Sequence, residues 1–205
     1  MKKNPTSKNI IKSDLQNIRA RLDTILNINT SDLGEQINEC LHLLDREVER
    51  VKKQANGYPD KDGNAGVWFD GVTLANYSKT LADFLSTKDF LKEQLHATGL
   101  WVKATLSVCS HYHHMVGPAM IAYATVNERA GNIDVAKKTC TAVLKDFECL
   151  LTDAEEDENK PDGDRLVALK SLQSAATKLL KLEEDSDMHK TASKIISRFQ
   201  SVLLK

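Results

Sequence analysis

Apolar residues recur along this chain at three- and four-residue intervals almost from end to end. That period lines side chains along one face of a helix, so the pattern predicts an all-α fold. The β-branched pairs Ile10-Ile11 and Ile195-Ile196 sit inside it and not in an alternating pattern. Leu15, Ile18, Leu22, Ile25 and Leu26 make the first stripe, and Ser13 with Gln16 has capping-box spacing, so a first helix is expected from Ser13 to about Asn27. Asp32 and Glu35 suggest a second cap after a short turn. Leu33, Ile37, Cys40, Leu41, Leu44, Val48 and Val51 then form a long stripe, with DREVERVKK as a charged outer face. These two helices should lie antiparallel.

Two stretches break the period, 55–71 (ANGYPDKDGNAGVWFDG) and 152–164 (TDAEEDENKPDGD), and both are expected as loops. Each is longer than the roughly 12 residues beyond which structureless loops become uncommon in compact domains. Between them the pattern predicts helices at 73–85 and 87–97, the latter capped by Ser86, and a run from 100 to 130 that Pro118 kinks or splits at Gly117. Helices at 133–151, 164–183 and 187–204 follow. The last is capped by Ser186 and buries Met188, Ala192, Ile195, Ile196, Phe199 and Val202. The expected architecture is seven or eight helices in antiparallel hairpins, stacked as a repeat-like array or packed as an irregular bundle. They make up one domain over 1–205, in two lobes at 1–54 and 72–205 joined by the 55–71 loop.

The sharpest local pattern runs from Met120 to Leu151, two amphipathic helices hinged at Gly131-Asn132 with small residues where they would touch. Met120, Tyr123, Ala124, the turn residue Gly131, Ala136, Cys140 and the pair Val143-Leu144 follow the spacing of a 34-residue helix-turn-helix unit, and the segment resembles a tetratricopeptide repeat. Asn127 stands where that pattern has an aromatic and Glu148 where it has proline. The resemblance covers roughly 30 of the 205 residues and implies stacked hairpins with a concave protein-binding surface and no catalytic residues. With Met120, Tyr123, Ala124, Asn127 and Gly131 turned toward the partner helix, Ile121, Thr125 and Glu128 share the opposite face. That face mixes apolar and polar groups, as a site for an extended peptide or an amphipathic helix does, and the three residues are the candidate partner-binding set.

Composition narrows the function. The chain carries 28 basic and 29 acidic residues for a net charge of -1, so it lacks the basic footprint that nucleic-acid binding requires. No segment reaches the ~18 uninterrupted apolar residues of a membrane span, and the N-terminus offers only Ile10-Ile11 where a signal peptide has its apolar run. Cys40, Cys109, Cys140 and Cys149 are scattered without a CxxC pair, the usage of small core hydrophobes in a reducing compartment, and a cytoplasmic location is expected. A chain of this length buries about 70% of its unfolded surface and needs neither disulfide nor metal to fold.

Candidate chemistry is sparse. GxGxxG, GxxxxGK[ST] and GxSxG are all missing from the sequence. The one cluster of ligand-type residues is Cys109, His111, His113 and His114, in which Cys109 and His113 would share a face if the segment were helical. It supports an alternative reading as a metal-binding protein or bundle enzyme, with Cys109 as a thiolate activated by His113. His42, His96 or Cys40 could converge on it, but no HExxH or Glu-x-x-His couples it to a second helix. Asp60, Asp62 and Asn64 imitate the start of a calcium loop, yet Ala65 and Gly71 stand where that loop has its glycine and its bidentate glutamate. Val67-Trp68-Phe69 is expected to fold back onto the core. Glu47 and Glu49 read as members of a charged helix face, and Asp153–Asp164, with seven carboxylates against Lys160, as a solvated linker that includes Ala154. The leading expectation is a non-enzymatic interaction or adaptor module, binding a peptide or partner helix and using no cofactor. A small immunity-type inhibitor belongs to the same class.

Overall fold

The computed structural model describes residues 6–27, 32–55, 65–110, 113–156, 163–183 and 187–203, with side chains from Asp14 onward except at 156 and 203. Within them lie eight α-helices and no strand: α1 Thr6–Asn27, α2 Leu33–Ala55, α3 Ala65–Ser86, α4 Leu91–Val108, α5 Val116–Arg129, α6 Ile133–Glu156, α7 Gly163–Leu182 and α8 Asp187–Leu203. They form two compact units, Met1–Val108 with α1–α4 and Cys109–Lys205 with α5–α8.

Each unit has the same internal plan. Every helix packs on the next in sequence, the first packs on the third and the second on the fourth, while the first and fourth share no packed face among the described residues. A closed four-helix bundle brings its first and last helices together. What is seen instead is two hairpins side by side in two layers, α1/α3 with α2/α4 and α5/α7 with α6/α8, as in repeat-like helical arrays. Side-chain bridges tie the second helix to the fourth in both units. Lys103 of α4 approaches Asp45 and Glu49 of α2 at 3.7 and 3.8 Å, and Arg198 of α8 binds Glu148, Glu155 and Thr152 of α6 at 3.2, 2.7 and 2.9 Å.

Two helix crossings are set by glycine. A Cβ at Gly71 of α3 would stand 2.4 Å from a methyl of Val108 on α4, and one at Gly117 of α5 would stand 2.5 Å from the Cβ of Ser171 on α7. Neither site has room for a side chain.

Several element boundaries differ from the sequence expectation. The backbone of α1 is already helical at Thr6, so Ser13 and Gln16 lie inside the helix and do not start it. The expected start of α2 is observed: the helix begins at Leu33, after Asp32, whose backbone carbonyl accepts the Gln36 N–H at 3.1 Å. Residues Ala65–Gly71, read as loop, are the first two turns of α3. There Val67 is buried, but Phe69 is 62% exposed and meets Trp68 edge to face at 5.2 Å, so the triplet does not fold back as a whole. Ser86 closes α3, its Oγ donating to the Asp83 carbonyl at 2.6 Å, and caps no following helix. The two segments 87–97 and 100–130 are replaced by α4, unbroken through Gly99, and α5, with the interruption at 109–115. Pro118 sits in the first turn of α5, where the missing N–H has no helical partner to lose, and so neither kinks nor splits the helix. Turn residues 28–31, the Asp60-Asp62-Asn64 segment, 157–162 and Ser186 lie outside the described residues.

The C-terminal end of α6 is the clearest correction. Helix continues to Glu156, and Ala154, expected in a solvated linker, is 2% exposed. Ala136 in the first turns of the same helix is fully buried. Ala136→Leu and Ala154→Leu are therefore both expected to lower stability by about 1 to 3 kcal/mol through overpacking, read as a drop in urea midpoint. A silent Ala154→Leu would contradict the burial of that turn.

Candidate interaction surface

The α5–α6 hairpin is closed by its own backbone. Asn132 donates its N–H to the Asn127 carbonyl at 2.8 Å and Gly131 donates to Glu128 at 3.1 Å, the paired bonds of a Schellman ending with Gly131 at φ +79°. Asn127, at the position where the repeat pattern has an aromatic, is 1% exposed and satisfied. Its amide donates to the Tyr123 carbonyl at 2.9 Å and accepts from the Asn132 side chain at 3.2 Å. Asn132 in turn offers its carbonyl to Val135 and Ala136, starting α6. Ala124, Ala136, Cys140, Val143, Leu144 and Phe147 are all buried within this unit.

Of the three expected partner-binding residues, Ile121 and Thr125 are partly buried, and the Thr125 hydroxyl donates to the Ile121 carbonyl at 2.7 Å. Glu128 is already engaged, accepting an ion-paired hydrogen bond from Lys178 of α7. Gly117 against Ser171 and Glu128 against Lys178 place α7 along the flank of α5 that carries Ile121 and Thr125. The outward stripe of α7 extends that flank. Val167, Lys170, Ser174, Thr177 and Lys181 recur at three- and four-residue spacing and are exposed. Ser174 and Thr177 donate their hydroxyls to carbonyls one turn back, at 2.9 Å each, so neither needs a tertiary partner.

The cysteine-histidine segment takes a different form from the one expected. Because α4 ends at Val108, Cys109 and His113 do not share a helix face. Burial alone pushes the Cys109 thiol up to about 11, so it is protonated at neutral pH and lacks the thiolate a nucleophile needs. His113 accepts the Met115 N–H at Nδ1 over 3.3 Å, and its ring lies 4.2 Å from that of His114, tilted by 32°. Burial and then the neighbouring His114 charge hold His113 below its ordinary value, with Asp164 opposing. His114 Nδ1 stands 3.6 Å from the carboxylate of Asp164. His111 lies outside the described residues, among which no group of three or more His, Cys, Asp or Glu is placed to hold a metal. His42 and His96 are exposed.

The other thiols follow burial in the same way. Desolvation pushes Cys40 up to about 12, against the lowering effect of Arg21, and Cys140 up to about 11, against Lys178, while Cys149 is exposed. At neutral pH iodoacetamide should therefore alkylate Cys149 in the native protein while Cys40, Cys109 and Cys140 react only after denaturation. Peptide mapping that found Cys109 modified as fast as Cys149 would overturn the protonated, buried assignment.

The strongest electrostatic feature of the α1–α4 unit was not expected. Glu47 is 3% exposed, not on the solvated face, and accepts the Arg50 Nε at 2.7 Å with Arg46 Nε at 3.8 Å. Arg50 continues to Asp70 of α3 at 3.0 Å and Gln54 at 2.6 Å, and Arg46 to Asp14 of α1 at 3.3 Å, so one network joins three helices. Desolvation would lower the Arg50 pKa, but its bonds to Glu47 and Asp70 outweigh it and the net shift is upward. Position 47 follows Leu44 by three and precedes Val51 by four, which is the spacing that marks it as inward facing. In the same unit, open hollows of about 400 and 500 Å³ meet at Arg21 and Leu43 between α1 and α2. Arg21 is bound there by Glu39 and Gln36, leaving no unpaired charge on that guanidinium for a ligand.

Each unit is thus an all-helical packing of two hairpins, compatible with a helical repeat. No family model matches the chain, and no curated protein is similar to it.

Proposed function

We propose that this chain is a non-enzymatic interaction module of tetratricopeptide-like construction, acting in the cytoplasm and receiving a peptide or partner helix on the α5–α7 layer. The reading is supported by the packing plan of α5–α8, in which each helix packs on the next, α5 on α7 and α6 on α8, as successive hairpins of a helical repeat do. In this reading the surface comprises Ile121 and Thr125 of α5, both partly buried, with the exposed Val167, Lys170 and Ser174 of α7. Glu128 is ion-paired with Lys178 of α7, which ties the two helices of this layer together. Burial raises the Cys109 thiol to about 11, which disfavours a thiolate nucleophile at that position.

A partner recovered by affinity capture should lose at least about tenfold in affinity for Thr125→Arg/Ser174→Arg, since bulk and charge at the centre of a contact surface disrupt packing there. The melting temperature should hardly move, because both hydroxyls bond only to their own helix. Undiminished binding by the folded double variant would place the function elsewhere.

A further inference from the structure

We infer that His113 and His114 form a pH-operated latch, which fastens the start of α5 to the start of α7 at neutral pH and lets it go on acidification. It stands whether or not the α5–α7 layer receives a partner. Three contacts join the two helices in the same order along both, so they run parallel: His114 with Asp164, Gly117 with Ser171 and Glu128 with Lys178. Imidazole is the side chain that ordinarily titrates near neutrality, so of these three contacts the first answers to pH there.

Met115, which begins α5, has no side-chain cap. His113 serves the turn instead: its Nδ1 accepts the Met115 N–H at 3.3 Å and its carbonyl the Val116 N–H at 2.9 Å. An imidazole that accepts at Nδ1 is neutral, with its proton on Nε2. Its ring lies 4.2 Å from that of His114, whose Nδ1 faces the Asp164 carboxylate at 3.6 Å. The three side chains are not placed to share a metal ion, and the proton is what changes their charge. A proton on His114 is matched by Asp164, whereas one on His113 takes the acceptor from Met115 and adds a positive ring beside His114.

Of the charged groups on the segment itself and on α6 and α7, which pack on α5, His114 and Asp164 act on His113. Glu148 and Glu155 of α6 are bound by Arg198 of α8, Arg165 follows Asp164 on α7, and Cys109 is a neutral thiol. Burial first, then His114, hold His113 below the ordinary 6.5, with Asp164 opposing. The fastened form thus binds this proton less readily than the released one. Its advantage is complete above the ordinary value and is lost as pH falls toward the lowered one.

Amide exchange followed by NMR on the full chain, corrected for the intrinsic pH dependence of exchange, reads the latch at Met115 and Val116. Their protection should fall at least about threefold between about pH 8 and about pH 5, while that of 124–127, near Glu128 and Lys178, should hold. His113→Asn offers an acceptor oxygen that takes no proton, and should keep the protection at neutral pH and abolish its pH dependence. Asp164→Asn removes the group that opposes the depression and should deepen the fall. Protection of Met115 and Val116 that is constant over the range, or that falls equally in His113→Asn, would overturn the latch. Should that variant not fold, the His113 ring signals of the parent decide. Titration below 6.5 with loss of Met115 protection over the same range supports the latch, and titration at or above 6.5 overturns it.

Discussion

Gly71→Val should destabilise the protein by about 2 to 3 kcal/mol, near the upper end of overpacking costs, because its side chain has nowhere to go. The Cβ alone would lie 2.4 and 2.8 Å from the two methyls of Val108 and 3.1 Å from its Cβ. Val108 is buried and β-branched, so it cannot swing aside by changing χ1 without striking its own helix. Gly71→Ala is milder, since the gain of about 1 kcal/mol in helix propensity offsets part of the clash. Adding Val108→Ala vacates the volume that the new methyl fills, so Gly71→Ala/Val108→Ala should be clearly more stable than the sum of its single variants predicts. Urea unfolding of the four proteins measures the coupling, and strict additivity would contradict the close approach of α3 and α4.

Glu47→Ala carries the other large effect, an expected loss of about 2 to 3 kcal/mol, somewhat below the 3 to 5 of a fully enclosed pair. The carboxylate is nearly inaccessible, whereas the Arg50 side chain is 21% exposed and keeps Asp70 and Gln54, which softens the loss. What remains costly is a guanidinium stripped of its shortest carboxylate contact in a place where water reaches poorly. Glu47→Leu/Arg50→Leu removes both charges together and should recover much of the stability that Glu47→Ala loses, as apolar replacements of buried pairs often do. A Glu47→Ala protein within about 0.5 kcal/mol of the parent would mean that the network joining α1, α2 and α3 contributes nothing.

Much of the fold was legible because the helices are amphipathic and the hairpin turn is chemically explicit. Gly131 and Asn132 mark the α5–α6 reversal, and the apolar spacing marks Ala124 and Ala136 as inward facing, each readable from residue type and spacing. The start of α3 was hidden because Gly66 and Gly71, turn-formers by composition, are used there for a helix and for close packing on Val108. Pro118 misled in the opposite sense, since a proline that breaks a helix interior is harmless in its first turn. Ala154 was submerged in acidic letters although it continues the spacing of Phe147 and Leu151, and the burial of Glu47 was masked by the charged run around it.

The candidate surface was legible only in part. Periodicity singled out Ile121, Thr125 and Glu128, but nothing local to α5 could announce that Glu128 pairs with a lysine 50 positions away. The contribution of α7 is likewise tertiary, because its stripe becomes part of a shared surface only when Ser171 meets Gly117. Long-range pairing of this kind leaves no periodic trace in either helix.

Amide hydrogen exchange with and without a captured partner tests the central claim most directly, since a docked peptide slows local opening of the helices it covers. The account predicts added protection within 121–128 of α5 and 167–181 of α7, with α6, α8 and the α1–α4 unit unchanged. Protection confined to α1–α4 or to the α6/α8 layer, with α5 and α7 exchanging as in the free protein, would contradict it.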